Sequence, residues 1–280
     1  MPLKPGYINV RGTLMDLSVP KVMGIINVTP DSFYGRSRST DEEDIITVAT
    51  EMIEDGADIL DVGGYSTRPG ADEISYEEER GRVINAVKVI SKELPEAVIS
   101  VDTFRSEIAR EAVLEYGAAI INDISGGEFD PDMFRTVDKL KVPYILMHMQ
   151  GVPGTMQHNP AYDDVVADIL KWFGERITRL QSMGVADIII DPGFGFGKTP
   201  AHNFEILRRL SEFSVSGLPL LVGISRKSMI WRTLDITPED ALTGTIVLNT
   251  VALMNGADIL RVHDVKEAVE AVKLVGRIRT

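Results

Sequence analysis

Eight short apolar runs recur along the chain, and each ends at a polar or glycine-rich turn before a helix-like amphipathic stretch begins. Strands of a parallel sheet that is covered by helices are buried on both faces, so they read as continuous apolar runs. The runs, rich in Val, Ile and Leu, are residues 22–28, 58–64, 97–103, 119–125, 143–149, 187–193, 219–225 and 258–264. Eight strand–helix units predict an α/β fold, a closed (β/α)8 TIM barrel.

Helical patterns fill the gaps between these runs. Residues 41–55 carry an apolar stripe with helical spacing, and residues 163–183 predict another long helix. A glycine at the end of a helix accepts the left-handed conformation of a C-cap, and the small residues after it let the chain turn into the next strand. Four turns of this kind are predicted, at Gly56, Gly117, Gly184 and Gly256.

The stretch before the first run, about residues 7–18, alternates around Gly12 like a short hairpin. We expect this N-terminal β-hairpin to cap the bottom of the barrel. At 280 residues the chain is close to the typical size of such a barrel, about 250 residues. Residues 1–280 are therefore interpreted as a single domain, with the barrel over about 21–280.

Composition narrows the class of function. A formal net charge of −13 argues against a nucleic-acid partner, which would normally meet a basic face. The absence of cysteine excludes disulfides, thiolate metal sites and a cysteine nucleophile. No segment resembles a signal peptide, and no apolar run approaches the ~18 residues that span a bilayer. We therefore expect a cytoplasmic protein with no membrane partner.

Polar residues stand at the ends of the predicted strands, where the chemistry of such barrels is found. They are Asn27, Asp61, Asp102, Asn122, His148, Asp191, Lys227, Arg261 and His263. Alternation along the last strand puts Arg261 and His263 on one face, and the neighbouring strand ends near Lys227. A positive corner facing acidic residues is hard to explain as packing, so it is a candidate site for an anionic ligand.

Two long loops follow the first two strands. The first, residues 27–39, carries Phe33 and Tyr34, which suggests a lid; the alternative is an ordinary connection whose aromatic rings pack on the barrel rim. The second, residues 63–71, combines hydroxyl groups and glycines with Arg68. A guanidinium, hydroxyl groups and free backbone N–H groups suit a phosphate.

A glycine-rich stretch at residues 191–199 superficially resembles a nucleotide-binding P-loop. The spacing fails, because Pro192 stands where the P-loop pattern requires its first glycine. We interpret the stretch as a turn between strand and helix, with Asp191 aimed into the site and Phe196 forming part of its wall.

Eight strand-end motifs, in order along the chain, resemble those of the dihydropteroate synthase family. The motifs are residues 27–33, 66–71, 101–103, 122–126, 146–149, 191–199, 225–227 and 261–263. The resemblance runs from about Lys21 to the C-terminus. It implies an enzyme that joins 6-hydroxymethyl-7,8-dihydropterin diphosphate to 4-aminobenzoate, giving 7,8-dihydropteroate and diphosphate in folate biosynthesis.

The resemblance also implies a role for each site residue. The pterin pocket would comprise Asp102, Asn122, Ile124, Met147, Asp191, Phe196, Gly223 and Lys227. The diphosphate would be held by Asn27, Thr67, Arg68, Arg261 and His263. The 4-aminobenzoate pocket would comprise Asp31, Phe33, Thr67, Pro69 and Ser225. Catalytic roles fall to Asp102, Lys227, Arg261 and His263. Asn27 would be the ligand of Mg²⁺, the expected cofactor.

The family is thought to ionise its pterin substrate before the amine captures the cation. Loop closure would then matter, because water would otherwise capture the cation. Sulfonamides are expected to compete in the 4-aminobenzoate pocket. The family further suggests a homodimer, with the apolar late helix near residues 246–254 as a possible contact.

The chain departs from the family pattern at Tyr65, where Glu is frequent, and in the stretch after Phe33. Two rivals remain open. A pterin-binding methyltransferase shares the barrel but passes a methyl group to a corrinoid protein, and it would not need the diphosphate residues such as Arg68 and Arg261. A non-catalytic pterin-binding protein would be expected to have lost the magnesium ligand or the loops, and neither is lost.

Overall fold

The computed structural model describes residues 6–28, 38–65, 73–152, 154–156 and 160–279. Its first element is the predicted hairpin, in which β1 (Tyr7–Val10) pairs antiparallel with β2 (Thr13–Asp16). Gly12, at the turn, has a φ of 80° that favours glycine. Ile8 and Val10 are buried in one cluster with residues at the starts of the barrel strands, such as Ile59. The hairpin therefore covers the N-terminal end of the barrel.

Eight parallel strands form the barrel, and each coincides with one of the predicted apolar runs. They are β3 (Lys21–Asn27), β4 (Ile59–Gly63), β5 (Ile99–Asp102), β6 (Ile120–Asp123), β7 (Tyr144–Met147), β8 (Ile188–Asp191), β9 (Leu221–Val222) and β10 (Ile259–Val262). The strand order is β8-β7-β6-β5-β4-β3-β10-β9. A parallel bridge between Ile190 and Leu220 joins the two ends of this sheet, so the (β/α)8 barrel is confirmed.

Helices cover the outside of the sheet. They are α1 (Arg38–Glu54), α2 (Tyr76–Glu93), α3 (Ser106–Tyr116), α4 (Met133–Leu140), α5 (Val165–Ser182), α6 (Pro200–Arg208), α7 (Ser228–Leu234), α8 (Leu242–Met254) and α9 (Val265–Arg279), with a 3-10 segment at Leu210–Ser216. The four predicted C-cap glycines all have positive φ, between 71° and 100°. No helix in the described ranges is long and apolar enough to cross a membrane.

Apart from β3, the strands are shorter than the apolar runs that predicted them, most clearly β9. The run was predicted over 219–225, whereas the strand covers two residues. Beyond Gly223 the chain enters a turn in which Lys227 N donates to the carbonyl of Ile224 at 3.0 Å. Ile224 is buried in the core between strands and helices, which explains why the run continues past the strand.

Candidate active site

Strand register brings the ends of four neighbouring strands to one level of the barrel, and three of them carry a polar side chain there. Asn27 pairs with Gly63, Gly63 with Asp102, and Asp102 with Asn122. Asp191 closes the same end from β8, where it pairs with Met147. The predicted gathering of these residues at the carboxyl ends of the strands is therefore what the structure shows.

Arg261, on β10, reaches across the barrel to two carboxylates. Its Nε lies 2.6 Å from Oδ2 of Asp61, and its Nη2 lies 2.7 Å from Oδ2 of Asp102. The same Oδ2 of Asp61 accepts a hydrogen bond from Nδ2 of Asn122 at 2.9 Å. One network thus joins β4, β5, β6 and β10 inside the barrel.

Burial and charge perturb the ionisation of this network. The pKa of Asp102 is raised to about 7, because burial penalises the carboxylate and Asp61 adds negative charge, while Arg261 opposes both effects. Burial acts to lower the pKa of Arg261, but Asp61 and Asp102 outweigh it and the pKa is raised. Arg261 therefore remains a cation, whereas Asp102 is poised to titrate near neutral pH.

Lys227 occupies a second position in the same pocket. Its ammonium group donates to the carbonyl of Phe194 and lies 4.7 Å from the ring centroid of Phe196. Burial lowers its pKa to about 8, against the opposing charge of Asp191. A Cβ added at Gly223 would lie 3.8 Å from the Lys227 nitrogen, so glycine at that position leaves open space beside the ammonium group.

Asp191 stands at the start of the glycine-rich turn. Its Oδ1 accepts from the N–H of Gly193 at 2.7 Å, and burial raises its pKa, with Lys227 opposing. Gly193 and Gly197 both have positive φ, and a Cβ at either would lie within 2.2 Å of a carbonyl oxygen. The glycines are required by a close approach of two backbone segments, which supports the interpretation as a turn.

A buried lysine, Lys198, holds this turn in place, although no role for it was predicted from the sequence. The ammonium of Lys198 donates to the carbonyls of Gly193 and Phe196, both at 2.9 Å. It also contacts the carbonyl and Nδ1 of His148, at 3.2 and 3.0 Å. Burial, with Lys198 adding to it, lowers the pKa of His148 to about 2. His148 is therefore neutral and supports the turn, although it stands at a strand end.

The apolar wall of the pocket includes three predicted pterin-pocket residues. Ile124 and Met147 are buried in one small cluster with two further methionines. Phe196 packs against that cluster as a partly buried ring. Phe104 and Phe129 complete it, and Tyr65 contacts Phe104 edge-on with ring centroids 5.2 Å apart.

Ser225 and His263 form a pair at the rim. The serine oxygen lies 3.0 Å from Nδ1 of His263 and accepts from its backbone N–H at 3.2 Å. The adjacent Arg226 instead forms a bidentate pair with Asp264, at 2.9 and 2.7 Å. Of the two neighbouring cations at the end of β9, only Lys227 faces the pocket.

Several predicted residues fall outside the described ranges. These are Asp31, Phe33, Thr67, Arg68 and Pro69, together with the Phe33–Tyr34 part of the proposed lid. Their placement remains a prediction. Asn27, at the end of β3, is described and is half-buried.

Sequence reasoning gave no role to Asp61, although it noted the residue at a strand end. The available signal was an aspartate inside an otherwise apolar run, on the alternating positions that β4 directs into the barrel. Asp61 is fully buried, and a carboxylate is buried at such a point only when it is paired. Its partner could not be read from the sequence.

Carboxylates, an amide and two cations thus line a pocket with an apolar wall. Such a pocket can fix a polar heterocycle through ring donors and acceptors, and it can stabilise negative charge beside it.

Comparison with known proteins gives a consistent result. The sequence pattern of the family described as pterin binding enzyme matches residues 23–263. The chain is 49% identical over 267 residues to dihydropteroate synthase of Escherichia coli strain K12, covering 95% of this chain and 94% of the relative. It is 42% identical over 256 residues to the Bacillus subtilis strain 168 enzyme, covering 91% and 87%.

Solved structures show the same likeness. Dihydropteroate synthase of Yersinia pestis in complex with a sulfonamide drug superimposes with a TM-score of 0.91, at 43% identity, covering 98% of this chain and 99% of that one. The Xanthomonas albilineans enzyme with 4-aminobenzoic acid gives a TM-score of 0.90, at 38% identity, covering 98% of both chains.

Proposed function

This chain belongs to the dihydropteroate synthase family, and we propose that its reaction proceeds by departure of diphosphate before capture of the amine. The protein is a transferase of folate biosynthesis: it condenses 6-hydroxymethyl-7,8-dihydropterin diphosphate with 4-aminobenzoate to give 7,8-dihydropteroate and diphosphate. The mechanism rests on the position of the Arg261 cation. It contacts Asp102 of the pterin pocket directly, and it shares a carboxylate oxygen of Asp61 with Asn122.

The pterin ring is recognised by groups of complementary hydrogen-bonding character. Asp102 and Asp191 accept from ring or amino N–H groups when ionised, and Asn122 both donates and accepts. Lys227 donates to a ring acceptor. Ile124 and Met147 supply the apolar surface on which the ring faces pack. This set orients the methylene carbon that carries the diphosphate.

Departure of the leaving group is the difficult step. The bond between the methylene carbon and the bridging oxygen breaks, and its electron pair leaves with the diphosphate. Arg261 and His263 are the residues proposed to stabilise that growing charge, with Thr67 and Arg68 as further predicted contacts. Preorganised contacts of this kind are each worth about 3–4 kcal/mol in the transition state.

The residues present fit the predicted Mg²⁺. The carboxamide oxygen of Asn27 is a hard ligand, and Mg²⁺ takes few protein ligands while waters and phosphate oxygens complete its coordination. In the described part of the chain, no group of three or more His, Cys, Asp or Glu side chains is placed to hold a metal ion. The proposed site is built on one amide and on the oxygens of the substrate. When bound, Mg²⁺ would neutralise charge on the diphosphate.

The amine needs no strong base. The amino nitrogen of 4-aminobenzoate is neutral near pH 7, and its lone pair forms the new carbon–nitrogen bond while one amine proton is released. The predicted pocket for this substrate comprises Asp31, Phe33, Thr67, Pro69 and Ser225. Of these, Ser225 lies in the described part of the chain. Exclusion of water by the two long loops would protect the cation.

The comparisons decide between the rival functions. A methyltransferase or an inactive paralogue would share the barrel and the pterin pocket, but the Escherichia coli and Bacillus subtilis relatives, which match over most of the chain, are dihydropteroate synthases. The sulfonamide complex of the Yersinia pestis enzyme supports competition by sulfonamides in this chain as well.

A homodimer is supported by the surface of α8. This helix exposes Val247 and Met254 at 54% and 47% of their surface, and it packs against α9, which exposes Leu274 and Ile278. Exposed apolar side chains on two helices that pack against each other are a surface that a second copy of the chain would cover.

An omission experiment tests the proposed function. Diphosphate release is measured with 4-aminobenzoate and Mg²⁺ each present or absent. Rapid release that requires Mg²⁺ and yields equal 7,8-dihydropteroate when both are present supports the proposal. Binding of the pterin substrate without any release under all four conditions would contradict it.

A further inference from the structure

A single carboxylate oxygen links two residues that face different parts of the substrate. Oδ2 of Asp61 lies 2.6 Å from Nε of Arg261 and accepts from Nδ2 of Asn122 at 2.9 Å. We propose that Asp61 is a positioning residue, which fixes the amide that reads the pterin and the guanidinium that meets the diphosphate in one relative geometry. The inference rests on the roles proposed above for Asn122 and Arg261.

Asp61 determines which way the Asn122 amide faces. The side chain of Asn122 is buried, and its Nδ2 is committed to Asp61. The carbonyl oxygen of the amide must then point away from Asp61, where it can accept a hydrogen bond from a ligand. A neutral amide at position 61 could donate instead of accept, and Asn122 could rotate to present the opposite group to the pterin.

Asp61 also determines which edge of Arg261 is free. The guanidinium is a planar fork whose donors have a fixed geometry. With Nε on Asp61 and Nη2 on Asp102, Nη1 has no protein acceptor among the described residues and is left for an anion. Loss of Asp61 would leave Asp102 as the one carboxylate on the arginine, and the fork could rotate about that contact.

The surroundings of Asp61 do not suit a purely structural carboxylate. Asp123, a buried aspartate of β6, accepts from the hydroxyl of Tyr144, from Ser125 and from the N–H of Gly127, so both its oxygens are satisfied. In contrast, Oδ1 of Asp61 is buried with no hydrogen-bond partner among the described residues.

A buried oxygen without a partner costs free energy. The Oγ of Ser100, the register partner of Asp61 on β5, is likewise buried without a partner. Both hydrogen bonds of the Asp61 side chain go to proposed substrate-binding residues. The unpartnered oxygen of Asp61 destabilises the fold, so a role in positioning Asn122 and Arg261 explains why a carboxylate stands here.

The test compares Asp61→Asn with Ser100→Ala, a matched change at the neighbouring buried polar position. Steady-state kinetics are measured for each substrate, and far-ultraviolet circular dichroism verifies the fold. We expect Asp61→Asn to lower kcat/KM for the pterin diphosphate about a hundredfold, as a small misplacement of reacting groups does. The KM for 4-aminobenzoate should change less than about twofold, and Ser100→Ala should leave all constants within about threefold.

A double-mutant cycle with Asn122→Ala separates positioning from general structural damage. If Asp61 acts through Asn122, its substitution should cost much less in the Asn122→Ala background than in the wild type. Equal costs in the two backgrounds, or wild-type kcat/KM in Asp61→Asn, would overturn the inference. If the wild-type enzyme turns over but the two substitutions are not coupled, the positioning role is wrong and the proposed function stands. If the wild-type enzyme does not turn over, the proposed function itself is wrong.

A second variant covers the case in which Asp61→Asn does not fold. Asp61→Glu keeps the charge but displaces the carboxylate by one methylene. A folded Asp61→Glu with strongly reduced kcat/KM for the pterin diphosphate supports positioning. A folded variant with wild-type kinetics, or one that also fails to fold, would assign Asp61 to the fold alone.

Discussion

Arg261 and Asp102 are in direct contact, with Nη2 of the arginine 2.7 Å from Oδ2 of the aspartate. The first is proposed to hold the diphosphate and the second to read the pterin, so the two halves of one substrate meet at this pair. Because Arg261 affects the pKa of Asp102, binding of the diphosphate by the arginine is linked to the ionisation of the carboxylate that binds the pterin ring. Several measurable effects depend on that connection.

Arg261→Ala should lower turnover by more than about tenfold, because a preorganised donor to the developing diphosphate charge is removed. The fold should persist, since the pKa of Asp102 is already raised by burial and the carboxyl can be protonated, while Asp61 keeps its hydrogen bond from Asn122. Arg261→Lys, which keeps the charge but loses the fork, should fall between alanine and wild type. Turnover by Arg261→Ala that equals the wild type would remove this residue from the mechanism.

The pH dependence of kcat/KM for the pterin diphosphate should be bell-shaped. Asp102, whose pKa is raised to about 7, must be ionised to accept hydrogen bonds, so activity should rise through about pH 7. Lys227, whose pKa is lowered to about 8, must be protonated, so activity should fall above about pH 8. In Asp102→Asn the acidic limb should disappear from the residual activity, and an unchanged limb would contradict the assignment.

The contribution of Asp102 to the free energy of unfolding should decrease as the pH rises, whereas activity should increase. The folded protein holds this proton up to about pH 7, whereas the carboxyl in the unfolded chain has the ordinary pKa of 3.8. The free energy of unfolding contributed by this group therefore falls as pH rises between those values. Urea denaturation of wild type and Asp102→Asn across that window measures the difference, which should be absent if Asp102 is ionised throughout.

Gly223→Ala should weaken pterin binding without disturbing the fold. The added methyl would lie 3.8 Å from the nitrogen of Lys227 and from Cβ of Arg261, an ordinary contact distance. We expect the KM for the pterin diphosphate to rise about tenfold because the methyl occupies ligand space. Gly81→Ala, on α2 with nothing within 4 Å of the added Cβ, is the control and should leave KM unchanged. An unchanged KM in Gly223→Ala would exclude Gly223 from the pocket.

Light scattering at micromolar concentration should give twice the chain mass of 30.8 kDa. Val247→Glu on α8 should shift the mass toward the monomer, since it puts a charge into the proposed apolar contact. Leu114→Glu, at an exposed leucine of α3, is the matched control and should remain dimeric. A monomeric mass for the wild type would count strongly against the homodimer.

The barrel could be predicted because burial on both faces leaves a repeated signal in every parallel strand. The polar residue that ends each run then identified most of the described pocket, including Asp102, Asn122 and Asp191. Alternation directs Arg261 into the barrel, where it contacts Asp61 and Asp102. His263 lies beyond the end of β10, beside Ser225. These inferences need only neighbours along the chain and the known direction of strands in a barrel.

The pairing of Arg261 with Asp61 could not be predicted, since the two residues lie 200 positions apart in sequence and meet only after the barrel closes. The role of Lys198 was hidden for a different reason. A lysine that ends a glycine-rich stretch suggests an anion site, but here the side chain turns inward to backbone carbonyls. Adjacent Arg226 and Lys227 are likewise indistinguishable until the turn after β9 directs only one into the pocket.

Positional isotope exchange distinguishes departure of diphosphate before attack by the amine from displacement of diphosphate by the amine in one step. The pterin diphosphate is labelled with ¹⁸O at the oxygen that bridges the methylene carbon and phosphorus, and it is incubated with enzyme and Mg²⁺ without 4-aminobenzoate. Departure before attack predicts that recovered substrate carries label in non-bridging positions, at a rate comparable with turnover and much reduced in Arg261→Ala. Label that stays in the bridge while the enzyme turns over normally once 4-aminobenzoate is added would contradict it.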